Sequence, residues 1–221
     1  MPPIITFIGW HDCGKTTLAS QVVRTLKERG YSVAVIKSTK ETGLVLDQEG
    51  TDTYSYRQAG ADAVTLIAPD QMVMTTTNPT RVLTTLAHRY FSDVDLIVGE
   101  GFKNERQVSK IEVSRGDTEL LRDQVTGVIA IATDRNISGN FIFGLDESSE
   151  IADFIEKRFL NKNRQKRNQT VLLINGKKVV MKDFVQKALA GTVKGFVNTL
   201  RINGSNILDI ELRIRIKEKE S

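Results

Sequence analysis

Apolar positions in this chain alternate between two periods. Ile4-Ile5-Thr6-Phe7-Ile8 is a nearly continuous apolar run ending at Gly9, the pattern of a strand covered on both faces. Leu18, Val22 and Leu26 then recur every four residues up to Gly30, which predicts a helix. Residues 31–37 read as a second strand, completing a βαβ unit that opens a parallel sheet. Residues 51–59 are helix-like and stop at Gly60; residues 63–67 and 72–75 are strand candidates. Pro79 is expected to open a helix through Val82, Leu83, Leu86 and Tyr90. Residues 95–98 predict a buried strand, and residues 111–113, 128–132 and 141–143 further ones. Asp146 is expected to cap a helix carrying Ile151, Phe154, Ile155 and Phe159. This alternation predicts an α/β class and a doubly wound, mostly parallel sheet over residues 1–160. Ligands of such sheets bind at the carboxyl ends of the strands, where Gly9, Lys37, Glu100 and Asp134 fall.

The pattern changes after residue 160. Residues 161–168 contain no apolar side chain and read as a linker or a frayed helix end. Two short apolar runs flank Asn175-Gly176, a strong hairpin signal. Asp183 with Gln186 has the spacing of a capping box, and Phe184, Ala188, Val193, Phe196, Val197 and Leu200 make one helical face. Leu208, Ile210, Leu212, Ile214 and Ile216 alternate with charged residues, which predicts a last strand. The expectation is a small C-terminal ββαβ module over 169–221. Charge separates the two parts: residues 1–156 hold 15 Lys/Arg against 22 Asp/Glu, net −7, and residues 157–221 hold 16 against 5, net +11. A basic appendage suggests an anionic partner, although a solvated surface explains the charge equally well. Nucleic acid is disfavoured, because the alternating strand carries no stacking aromatics. No apolar run approaches the length of a membrane span, and no signal peptide is visible. With one cysteine an internal disulfide is excluded, and a cytoplasmic location is expected.

The chemistry concentrates in Gly9-Trp10-His11-Asp12-Cys13-Gly14-Lys15-Thr16-Thr17. G-x-x-x-x-G-K-T between a strand and a helix is a phosphate-binding loop. Backbone N–H groups at the start of the helix have no intrahelical acceptor and converge on an anion. Lys15 reaches the β/γ oxygens and Thr16 offers a hydroxyl to Mg²⁺. The nucleotide-binding set is therefore Gly9, His11, Asp12, Cys13, Gly14, Lys15, Thr16 and Thr17. His11 and Cys13 do not read as zinc ligands, since the chain has two histidines and one cysteine and such sites take four ligands. Cys13, at a helix N-terminus, is a candidate for oxidation sensitivity.

Phosphate chemistry also needs an acid near the terminal phosphate. Glu100, at a strand's carboxyl end between two glycines, is favoured over Asp95 at the opposite end. Asp52 is a second metal candidate, with an N-cap role as its alternative. Asp134 follows a late strand, where a carboxylate can accept from the two hydrogens of guanine's N1 and N2; a turn-capping role is its alternative.

Taken together these motifs resemble one family, the molybdopterin-guanine dinucleotide biosynthesis protein B group of P-loop GTPases. The resemblance rests on residues 9–17, Val35-Ile36-Lys37, residues 47–53 with 56–61, residues 95–103 containing Glu100-Gly101-Phe102-Lys103, and residues 128–134. It covers residues 4 to about 160. It implies a GTP-binding protein, weakly GTPase-active and dimeric, that assists attachment of GMP to molybdopterin; the transfer itself belongs to a partner guanylyltransferase. It carries over Lys15 and Thr16 as phosphate and Mg²⁺ contacts and Glu100 as the acid at the γ-phosphate, so that Lys15 and Glu100 are the catalytic candidates. GTP and Mg²⁺ are the implied ligands, and molybdopterin a further one. Two departures stand out. His11, Asp12 and Cys13 occupy positions where the family often has Ser or Gly, and Lys37 is followed by Ser38-Thr39-Lys40 in place of histidines. Two other classes remain. A metallochaperone GTPase would need Cys/His ligands near its switch loops. A small-molecule kinase could recruit Arg57, Arg106, Arg115, Arg122 and Arg135 over the phosphates.

Overall fold

The computed structural model describes residues 2–44, 47–77, 82–161, 170–174, 177–200, 207, 209–212 and 214. The chain divides into two compact units, Met1–Val179 and Val180–Ser221.

The first unit is built on six parallel strands: β1 (Ile4–Ile8), β2 (Val33–Lys37), β5 (Leu96–Glu100), β6 (Ser109–Ser114), β7 (Val128–Thr133) and β8 (Ile142–Phe143). Their order is β2-β5-β1-β6-β7-β8, so β1 is central. Both faces are covered, which is why β1 and β5 are buried at every position. Side chains alternate between the faces. Ile5, Phe7, Leu96 and Val98 pack with Leu18, Val22 and Leu26 of α1 (Lys15–Glu28) and Ile151 and Ile155 of α4 (Ser148–Ile155). Ile4 and Ile97 face the other way, onto Leu83 and Ala87 of α3 (Leu83–Tyr90). The doubly wound parallel sheet expected from the hydropathy pattern is the fold observed.

The strand candidates at 63–67 and 72–75 are both strands, β3 (Ala63–Ile67) and β4 (Met72–Thr76), and they pair antiparallel in a separate two-stranded sheet. Leu66, Ile67, Met72 and Val73 on it are exposed. Apolar composition alone does not say which sheet a strand joins, and here the pairing forms a hairpin. The N-cap of α4 is Glu147, not Asp146; the Glu147 carboxylate accepts from the Gly144 N–H at 2.8 Å. Beyond Ile155 the helix widens into a π turn, Glu156–Leu160. In α2 (Asp52–Gln58) the cap is Thr51, whose hydroxyl accepts from the Tyr54 N–H. Asp52 is the first helical residue rather than the cap.

Two short strands, β9 (Leu172–Ile174) and β10 (Lys177–Val179), form the expected antiparallel hairpin. The second unit contains α5 (Asp183–Asn198), as expected, but without a capping box. Lys182 is its N-cap, and the Gln186 amide donates to the Met181 carbonyl instead of reaching the cap. No residue of α5 is buried. The expected last strand lies largely outside the described residues, and Ile207, residues 209–212 and Ile214 carry no strand assignment. The linker expectation, beyond Asn161, also lies outside them, as does Pro79; but Val82, expected inside the helix that Pro79 opens, is the extended N-cap of α3, which begins only at Leu83.

Candidate functional site

The loop from Gly9 to Gly14 joins the carboxyl end of β1 to the first turn of α1, so its amides lie above the sheet at a helix N-terminus. Gly9 is required sterically. A Cβ there would sit 2.2 Å from the Val113 carbonyl oxygen of β6 and 2.6 Å from Cys13 Sγ. At Gly14, the helix N-cap, φ is 92°, a left-handed conformation that glycine adopts without strain.

The three residues peculiar to this loop separate by environment. Asp12 has φ 55°, and its carboxylate lies 2.7 Å from His11 Nδ1 with both side chains almost fully exposed. The negative charge therefore points to solvent, away from the converging amides. Cys13 is buried among Phe7, Leu18 and Val113. It acts as a small apolar residue there, and burial removes the access that oxidation or alkylation requires. Lys15 lies along the loop, donating to the Trp10 carbonyl with Cys13 Sγ 3.6 Å away. Trp10 donates its indole N–H to the Glu119 carbonyl at 2.7 Å. The Lys103 ammonium stands 5.0 Å from the centre of its ring, within cation–π range. Lys103 belongs to the Glu100-Gly101-Phe102-Lys103 turn, so this contact ties that turn to the phosphate loop.

Beside the loop, Thr16 donates its hydroxyl to Glu100 Oε1 at 2.7 Å. Glu100 is the last residue of β5 and is nine-tenths buried. Asp95, at the other end of that strand, accepts from the Ser32 N–H and hydroxyl at 2.9 and 2.8 Å, which is a strand-fastening role. Of these two strand-end acids, Glu100 is the one beside the loop, and strand polarity is the reason. Sequence reasoning did not assign Lys37, whose ammonium lies 3.0 Å from Glu100 Oε1 and 3.4 Å from Thr16 Oγ1. The available signal was a lysine at the carboxyl end of the second strand.

Asp52 is exposed on α2. The neighbouring hydroxyls of Thr51 and Thr53 turn to Asp47 at 3.0 and 2.8 Å. Burial raises the Asp47 carboxyl, but hydrogen bonds from Thr53, Thr51 and the Gln48 N–H, with the Arg57 charge, outweigh it and hold it below its ordinary value. Asp47 is thus the fastener of this loop.

On the far side of the loop an open cleft of about 600 Å³ is lined by Thr17, Gln21, Arg115, Thr133, Asp134 and Leu145, among others. Asp134 is exposed at its rim and accepts from the Gly116 N–H at 2.9 Å. A Cβ on Gly14 would meet the Arg115 guanidinium at 3.6 Å, which places that cation between phosphate loop and cleft. The site is thus continuous: an acid and a hydroxyl on one side of the loop, a cleft with a carboxylate on the other.

The family described as molybdopterin guanine dinucleotide synthesis protein B matches residues 4–134. A relative from Escherichia coli (strain K12), the molybdopterin-guanine dinucleotide biosynthesis adapter protein, is 34% identical over 166 residues, which are 70% of this chain and 92% of the relative. The Haemophilus influenzae protein of the same name is 31% identical, over 70% of this chain and 88% of its own. A solved structure of molybdopterin-guanine biosynthesis protein B aligns with a TM-score of 0.58 at 28% identity, over 70% of this chain and 97% of that one. Bacillus subtilis MobB shares the fold, with a TM-score of 0.58 at 21% identity, over 71% and 98%.

Proposed function

We propose, from the premise that this chain belongs to the molybdopterin guanine dinucleotide synthesis protein B family, that it is a GTP-binding adapter in molybdenum cofactor biosynthesis. It assists a partner enzyme in converting molybdopterin to its guanine dinucleotide form. The observation that carries the nucleotide reading is the single line of groups along the carboxyl edge of the sheet, from Glu100 and Thr16 through the phosphate loop to Asp134.

In this reading the loop amides and Lys15 bind the β and γ phosphates. Gly9, Gly14 and the outward turn of His11 and Asp12 leave the cradle open, and Thr17 continues the helix N-terminus toward the cleft. Thr16 and Glu100 fit Mg²⁺, since they are hard oxygen donors held 2.7 Å apart at the loop. The ion supplies charge neutralisation of the phosphates when bound. Asp52, exposed at the start of α2, is proposed as an outer acidic group that approaches only with nucleotide present. Asp134 accepts from guanine N1 and N2, an edge adenine lacks. Lys15 and Glu100 are the groups proposed to support slow hydrolysis.

A homodimer is proposed through the β3–β4 hairpin, whose exposed apolar strip (Leu66, Ile67, Met72 and Val73) is suited to a second copy. The basic C-terminal part, residues 169–221, is proposed as the docking surface for the acidic partner enzyme or for the phosphorylated pterin. No helix among the described residues is long and apolar enough to cross a membrane, and a cytoplasmic location is proposed. The test is direct: titrate the protein with GTP and ATP, with and without Mg²⁺, following the single tryptophan, Trp10. Tight binding of GTP with slow hydrolysis supports the reading. Preference for ATP with rapid transfer to an added acceptor would replace it with a small-molecule kinase.

A further inference from the structure

Lys37 ends β2, and the parallel register sets it directly beside Glu100 of β5. Their side chains therefore leave the sheet on the same side, at the edge where the phosphate loop begins. The Lys37 ammonium occupies a position 3.0 Å from Glu100 Oε1 and 3.4 Å from Thr16 Oγ1. These are the two oxygens assigned above to Mg²⁺, and an ammonium and a dication cannot share one position against one carboxylate. We propose that Lys37 is a tethered cation: it holds the Thr16–Glu100 pair in the nucleotide-free protein, then yields to the metal-bound triphosphate and turns its ammonium to the terminal phosphate.

The asymmetry of the pair favours this. The Glu100 side chain is 11% exposed and Lys37 is 57% exposed. The acid is fixed by its packing, whereas the lysine is a compact charge on a mobile four-carbon stem. An isolated carboxylate so little hydrated is costly without a cation or donors, and Lys37 meets that need until a stronger cation arrives. An ordinary surface ion pair has two mobile partners and contributes little; here one partner is rigid and both touch a third group, Thr16. Once displaced, the ammonium stays on the phosphate side of the sheet edge. A triphosphate offers it an oxygen that a diphosphate does not, so Lys37 discriminates between them.

The proposal rests on the assignment of Thr16 and Glu100 as metal ligands, and its test separates the two. The full-length protein and its Lys37→Met and Lys37→Arg variants are titrated with Mn²⁺ in the absence of nucleotide, reading free Mn²⁺ by electron paramagnetic resonance. Lys37→Met is expected to bind Mn²⁺ about tenfold more tightly than the parent, the effect of removing one charge at this separation under full water screening. Lys37→Arg is expected to show no gain, and adding Glu100→Gln to Lys37→Met to abolish it. Titration with GTP and GDP in Mg²⁺ is expected to show the GTP/GDP affinity ratio falling about tenfold in Lys37→Met. Unchanged Mn²⁺ affinity in Lys37→Met overturns the proposal, as does a gain that survives Glu100→Gln. Equal losses for GTP and GDP overturn the phosphate contact. A parent protein that binds neither nucleotide removes the GTP reading, while the Mn²⁺ comparison still decides whether Lys37 competes with a metal.

Discussion

Glu100→Gln separates the role of a carboxylate from that of its shape. Glutamine keeps an oxygen that can accept from Thr16 Oγ1, so the 2.7 Å hydrogen bond survives in weaker form. The lost ion pair with Lys37 is half-exposed on the lysine side and contributes no more than about 1.4 kcal/mol under full water screening. The fold is therefore expected to change by about 1.4 kcal/mol or less. The effect on a divalent ion is larger. A doubly charged ion at the 3.0 Å now separating Lys37 from Glu100 interacts with the carboxylate by about 2.8 kcal/mol even under full water screening, which is about a hundredfold in affinity. The expected signature is selective. GTP affinity in EDTA stays within about twofold of the parent, because the loop amides and Lys15 carry the phosphates. The gain in affinity on adding Mg²⁺ disappears, and hydrolysis slows with it. Calorimetric titration with GTP, with and without Mg²⁺, measures this, with thermal melts as the control for folding. A variant that keeps the full Mg²⁺-linked gain would refute the assignment of Glu100.

Asp134→Asn should lower GTP affinity at least about tenfold and raise affinity for xanthosine triphosphate, because an amide can donate to the xanthine 2-oxygen where a carboxylate accepts from guanine. Competition binding with the two nucleotides reads this, and an unchanged preference rules out base recognition by Asp134. Gly9→Ala would force the 2.2 Å approach to the Val113 carbonyl, costing about 1–3 kcal/mol by overpacking and loosening the phosphate loop. Urea unfolding measures the first effect and GTP affinity the second, and a variant unchanged in both contradicts the close packing. The Asp47 carboxyl is held below its ordinary value near 3.8, so it stabilises the folded loop above that pH. That contribution fades as the pH falls through and below it. Acid melts from pH 5 downward should therefore be shallower in Asp47→Asn, which is uncharged throughout; parallel melts for both proteins would count against the Asp47 network.

The phosphate loop was legible in the sequence because its chemistry is local. Eight consecutive residues, Gly9 to Thr16, supply the amides, the lysine and the hydroxyl, and no distant contact is needed to recognise them. The parallel sheet was legible for a similar reason, since strands covered on both faces read as unbroken apolar runs. The choice of Glu100 over Asp95 followed from strand direction alone.

What the tertiary structure decided depends on pairing between segments far apart in the chain. Lys37 and Glu100 are 63 residues apart and meet because β2 and β5 are register partners. An apolar run such as Ala63–Ile67 does not state whether it will enter the main sheet or fold back on the next strand, as it does here. The direction of a side chain is equally invisible. His11 and Asp12 turn outward while Cys13 turns into the core, although all three share one loop. Sequence by itself determined that a phosphate-loop motif would stand between a strand and a helix, because that depends on residue order alone. The fold determined which cation and which acid stand beside it, because those positions are set by strand order and register.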